Sequence, residues 1–112
     1  MAPLGYTVEG EEFMDLHQGV RGLFLIGQSP RLELLQPLSG TPGGVLAPWL
    51  KQGVKLYHLA YVVRHLRDAV EHLRAQRGKL IVPPVPAAAF GGREIAFLML
   101  PNQVLVELIA SE

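Results

Sequence analysis

Apolar side chains in this chain fall in short runs cut by glycine and proline, and the spacing inside each run predicts an element. Val20 to Ile26 (VRGLFLI) reads as a strand ended by Gly27. Arg31 to Gln36 (RLELLQ) reads as a second, stopped by Pro37, and a further strand fits within residues 5–15. Residues 38–44 (LSGTPGG) read as loop. Residues 45–52 fit a short helical turn that Gly53 would end. Lys55 to Val63 (KLYHLAYVV) reads as a buried strand. Leu66, Ala69, Val70 and Leu73 then recur at helical spacing, the stripe of an amphipathic helix that Gly78 is placed to terminate. Lys79 to Val82 reads as a short strand broken by Pro83 and Pro84. Arg93 to Leu100 and Gln103 to Ala110 read as strands joined by a tight turn at Pro101–Asn102. The second half is therefore strand, helix, strand, strand, strand, and the first half strands only. That is an α+β order.

Glu33, His58 and Glu107 each interrupt an apolar strand. Strand side chains alternate faces, so Glu33 shares a face with Leu35, His58 with Ala60 and Val62, and Glu107 with Leu105 and Ile109. Each strand then carries its apolar bulk on one side and a ligand-type group on the other. An ionised carboxylate among apolar neighbours is costly unless paired, hydrated or metal-bound. Two glutamates and a histidine suit a divalent cation such as Mn, Fe, Co, Ni or Zn. The competing reading is a solvated face of an antiparallel sheet. Spacing alone leaves both open.

Composition removes several function classes. The 112 residues are 49% hydrophobic and 18% charged, enough apolar surface for a packed core. Ten Lys+Arg balance ten Asp+Glu, so no long-range attraction draws the chain to nucleic acid or to an anionic membrane. There is no cysteine, hence no disulfide and no thiolate chemistry. No apolar run is long enough to cross a bilayer, the first residues lack a signal-peptide pattern, and the expectation is a cytoplasmic protein. Arg64, His65, Arg67, Glu71, His72, Arg74 and Arg77 read as a solvated helix face, and His17 as a loop residue. Phe90-Gly91-Gly92-Arg93 is a glycine turn too short for a phosphate loop. Trp49, after Pro48, reads as an anchor for the linker, and Tyr57 and Tyr61 as core or interface residues.

Taken in order, GVRGLFLIG, RLELLQPLSG, WLKQGVKLYHLAYVV, LRDAVEHLRAQ and REIAFLMLPNQVLVELIAS resemble the vicinal oxygen chelate superfamily of glyoxalase I, extradiol dioxygenases and bleomycin-resistance proteins. Within it they are most similar to the methylmalonyl-CoA epimerases, over Val20 to Ser111. The resemblance implies paired βαβββ modules around one metal, with ligands on the first and last strands of each module. Carried over, Glu33 closes the first module, His58 opens the second and Glu107 closes it. Glu107 doubles as the catalytic base. The resemblance also implies ligand contacts at Phe90 and Arg93, beside the hairpin bordering the cavity; for Trp49 the alternative to a linker anchor is a roof over that cavity. The opening strand and helix of the first module, with its histidine ligand, have no counterpart here. Tyr57 stands where the epimerases have a second histidine. The expected organisation is one glyoxalase-like domain: residues 1–38 as remnant of the first module, 39–53 as linker and 54–112 as a complete second module. A bared sheet edge and uncovered apolar surface imply a homodimer. Two functions follow. One is a metal-dependent epimerase, isomerase or lyase acting on a small acyl or vicinal-oxygen substrate. The other is a metal-free protein of the bleomycin-resistance type that sequesters a small molecule in an apolar cleft lined by groups such as Phe90, Trp49 and Tyr61.

Overall fold

The computed structural model describes residues 4–28, 30–38, 44–54 and 56–112. It divides into two units, Met1–Gly53 and Val54–Glu112. The linker expected at residues 39–53 falls partly outside the described residues, because 39–43 are not among them.

Unit 1 is an antiparallel sheet of three strands in the order β1-β2-β3: β1 (Thr7–Asp15), β2 (Val20–Ile26) and β3 (Leu32–Pro37). The strand foreseen within residues 5–15 is β1, and it slips register between Glu9 and Phe13. Phe13 pairs with Gly22 and its ring lies where a side chain would stand. A Cβ built on Gly22 would sit 2.3 Å from the Phe13 Cζ atom, so only glycine admits this packing. The Phe13 and Phe24 rings meet at 5.4 Å. Helix α1 (Ala47–Lys51) is the short helical turn expected after the loop, with Gly53 at φ 76° behind it.

Unit 2 is a complete βαβββ module: β4 (Leu59–Val63), α2 (Leu66–Ala75), β5 (Lys79–Pro86), β6 (Glu94–Met99) and β7 (Leu105–Ala110). The strand order is β4-β7-β6-β5, with β4 parallel to β7 and the other pairs antiparallel. The helical stripe behaves as its spacing requires: Leu66 and Val70 are buried against Ala96, Leu98, Val106 and Leu108 of the sheet. The chain is thus α+β: unit 2 is a whole βαβββ module, while unit 1 has, among the described residues, three strands and the short α1 with no strand and helix ahead of them.

Three local expectations are corrected. Strand β4 begins at Leu59 rather than Lys55, because its partner β7 begins only at Leu105 and Leu59 pairs with Val106. Strand β5 runs through Pro83 and Pro84 to Pro86. It is an edge strand with register shifts at Leu80/Val82 and Val82/Val85, where a missing N–H costs no ladder bond. At the end of α2 the left-handed residue is Arg77, at φ 71°, and not Gly78. Gly78 N–H donates to the Leu73 carbonyl at 2.8 Å and Arg77 N–H to that of Arg74 at 3.1 Å, a Schellman ending. Glycine is needed at 78 for a different reason, since a Cβ there would meet the Leu73 oxygen at 2.7 Å.

Candidate metal centre

Strand β7 places Glu107 in the middle of one sheet face. Its register sets Glu107 opposite Phe97 on β6 and beside Ala60 on β4. Ile95, Leu105 and Ile109 share that face by strand alternation, and all are buried. Glu107 itself is only 3% exposed, so its carboxylate stands in an apolar setting and must find a partner. The partner is His58, one residue ahead of β4: its Nε2 lies 2.9 Å from Glu107 Oε1.

Aromatic packing holds the imidazole. The His58 ring meets the Phe97 ring edge-on at 4.9 Å and 88°, and the Tyr57 ring edge-on at 4.7 Å and 78°. Tyr57 and Phe97 stack on each other at 6.0 Å. The Tyr57 and Phe97 rings therefore fix one nitrogen of His58 on Glu107. An imidazole nitrogen and a carboxylate oxygen presented side by side and shielded from solvent form a donor set suited to borderline divalent cations. A cation that takes both lone pairs must displace the proton between them, so uptake is coupled to proton release.

Glu33 stands on the other unit, on β3 opposite Phe24, half-buried, and shares a face with Leu35 and Gly22. Trp49 also belongs to that unit, half-buried in α1. His17 is exposed in the turn after β1. Unit 2 brings His58 and Glu107 together and keeps Tyr61 away from them. Tyr61 pairs with Leu108, points to the α2 side of the sheet and is 55% exposed. Phe90 ends a short 3-10 turn, Ala88–Phe90, followed by Gly91 and Gly92 at φ 64° and 88°. Arg93 donates through Nε to the Ala110 carbonyl at 2.7 Å, tying this loop to the end of β7. The helix-face cations are exposed as expected, and two of them are paired: Arg67 with Glu94 and Arg74 with Glu71. Sequence reasoning missed Phe97 as a support of the pair and Asp15 as a buried acid. Asp15 accepts from the Gln18 backbone N–H at 3.0 Å and so closes the β1–β2 turn. No helix among the described residues is long and apolar enough to cross a membrane.

A family model described as the glyoxalase/bleomycin resistance protein/dioxygenase superfamily matches residues 1–97. Among solved structures the chain is similar to a hypothetical protein, BH1468, from Bacillus halodurans C-125. The TM-score is 0.75 at 28% identity, over 96% of this chain and 77% of that one. It is also similar to methylmalonyl-CoA epimerase from Mycobacterium tuberculosis, with a TM-score of 0.77 at 27% identity, over 97% of this chain and 73% of that one. No curated protein matches.

Proposed function

The chain belongs to the glyoxalase/bleomycin resistance protein/dioxygenase superfamily, and we propose that it is a divalent-metal-dependent epimerase, isomerase or lyase acting on a small acyl or vicinal-oxygen substrate. The observation that carries this reading is the buried pair of His58 Nε2 and Glu107 Oε1, 2.9 Å apart. Both side chains are at most 9% exposed. A solvated sheet face does not bury a carboxylate and an imidazole against each other.

His58 and Glu107 are the proposed ligands in unit 2, and Glu33, on the closing strand of the first module, is the proposed third. A bound cation would supply Lewis acidity toward the substrate oxygen. The protein's own groups do the rest. Phe97 and Tyr57 hold the His58 ring and exclude water. A free oxygen of Glu107 is the base that takes a proton from carbon next to a carbonyl and returns it. Phe90, Arg93 and Trp49 are proposed substrate contacts, with Arg93 oriented through the Nε bond it already makes. A cytoplasmic homodimer belongs to the same proposal.

The relative named as a methylmalonyl-CoA epimerase makes an acyl thioester the first substrate to try. The test is exchange of the α-proton of branched acyl thioesters in deuterated buffer, with and without chelator. Exchange that needs a divalent cation and is lost in Glu107→Gln supports the reading. Absence of exchange across thioesters and vicinal-oxygen compounds sinks it. A metal-free binding protein is the second reading, and one observation favours it: the two groups already satisfy each other as a hydrogen-bonded pair.

A further inference from the structure

One face of the unit 1 sheet carries an ordered cation that the proposed reaction does not use. Antiparallel partners share a face, so Glu9, Phe24 and Glu33 stand in one row across β1, β2 and β3. Arg31, just ahead of β3, lies over that row. Its guanidinium carbon is 3.8 Å from the centre of the Phe24 ring, and its Nε donates to Glu9 Oε1 at 2.7 Å. The backbone ahead of it is tied as well. A Cβ on Gly27 would meet the Tyr6 ring at 2.9 Å, and the Tyr6 hydroxyl donates to the Pro30 carbonyl at 2.6 Å. Arg31 is thus held at its stem, its plane and its Nε. An exposed ion pair contributes little to stability, so stability is a poor reason for this much ordering. Arg21, on β2, shows the ordinary alternative. Its Nε donates to Gln36 Oε1 at 2.9 Å and its Nη1 lies 3.7 Å from Glu12, with no ring beneath it among the described residues.

We infer that Arg31 binds an oxyanion of the small-molecule ligand, a carboxylate or phosphate distinct from the oxygen that a cation would polarise. This deepens the reading above and rests on it in one respect, that Glu33 and its sheet face belong to the site. A guanidinium is a planar fork whose N–H groups grip carboxylate or phosphate through paired bonds. Among the described residues, Arg31 gives its Nε to Glu9 and its face to Phe24, which leaves the two Nη groups for a ligand. The side chain is 49% exposed. Stacking on the buried Phe24 ring holds the fork still, so less conformational freedom is lost when an anion binds. Charge sets the sign of the ligand group. The carboxylates in the row beside Arg31 are Glu9, which is paired with it, and Glu33, the proposed ligand of the cation. A neutral group would gain little from Arg31, whereas an oxyanion gains charge-assisted hydrogen bonds.

The arginine Nε–H signals in nitrogen-15 spectra of the whole chain test this, during titration with inorganic phosphate and, separately, with succinate, first with a chelator and then with Zn. The Arg31 signal should shift saturably with at least one anion, and Arg31→Met should weaken that binding by about tenfold or more. Arg31→Lys keeps the charge but loses the fork, and should recover only part of the affinity. Arg21→Met should leave it unchanged. A response to phosphate alone assigns a phosphoryl group to the ligand, and a response to succinate alone assigns a carboxylate. No saturable shift with either anion, with or without Zn, overturns the inference. Binding that survives Arg31→Met intact overturns it too, as does equal weakening by Arg21→Met, which would report net charge alone. The wild-type signal carries the test even if Arg31→Met fails to fold. Failure of the enzyme reading is a separate result: a chain that catalyses no proton exchange yet binds an anion through Arg31 keeps the anion site and loses the reaction.

Discussion

Units 1 and 2 close on similar strands and treat them differently. Each ends its sheet with a short apolar strand holding one glutamate, Glu33 on β3 and Glu107 on β7. In unit 2 the sheet has four strands, a ten-residue helix covers one face, and β7 is buried over five consecutive residues. In unit 1 the sheet has three strands and no described helix of comparable length, and no residue of β3 is fully buried. Leu34 on β3 is 50% exposed, whereas Leu108 on β7 is 4% exposed. The same kind of strand thus becomes a buried platform or an open surface according to what covers it. The pair that would hold a cation is built entirely on the platform.

Substitutions can break or sharpen this contrast. The largest stability effect is expected from Phe97→Ala, which empties a fully buried site and removes the ring against His58, at a cost of about 3–5 kcal/mol. Leu34→Ala, on the exposed strand, should change stability by no more than about 0.5 kcal/mol. Denaturant titration of both measures the difference, and equal losses would erase the contrast. Next is Gly22→Ala. Gly22 is tightly packed under Phe13, and a methyl group there should cost about 1–3 kcal/mol by displacing the ring. A neutral result would mean that the β1–β2 face is as loose as β3.

Arg77→Gly acts in the opposite direction. Arginine at φ 71° is strained and glycine is not, so the variant should gain about 1 kcal/mol, visible as a raised melting temperature. The smallest change is expected from Arg67→Ala. Its ion pair with Glu94 is exposed, and its loss should cost less than about 0.5 kcal/mol. A larger loss would mean that α2 is held to its sheet by charge as well as by the Leu66 and Val70 stripe.

Much of the fold was legible because its signals are local. Val20–Ile26 matches its strand residue for residue, and the Leu66, Ala69, Val70 and Leu73 stripe marks the buried side of α2. Signals that depend on neighbours were not. Pro83 and Pro84 looked like strand breakers because nothing in the sequence says that β5 lies at an edge. The support for the pair was hidden by a one-residue difference in a turn. A two-residue turn at Pro101–Asn102 would set Phe97 opposite Val106. Instead the loop takes three residues: Gln103 adopts φ 71°, its N–H donates to the Leu100 carbonyl at 2.9 Å, and Leu100 N–H donates to Val104 at 3.0 Å. That loop sets Phe97 opposite Glu107. Because strand faces alternate, one residue of slip would have sent the ring to the wrong side of the sheet. His58 and Glu107 themselves could be named from sequence, since a polar group inside an apolar strand demands a partner. That each is the other's partner depends on the parallel β4–β7 pairing of distant segments.

The central claim is that the His58–Glu107 pair is a metal-binding site. Its most direct test is elemental analysis of the untagged protein after reconstitution with Mn, Fe, Co, Ni or Zn, comparing wild type with His58→Ala and with the isosteric Glu107→Gln, each first shown to be folded by circular dichroism. The account predicts near-stoichiometric divalent metal in the wild type and almost none in either variant. A folded wild type that takes up no metal, or folded variants that retain it, would contradict the account.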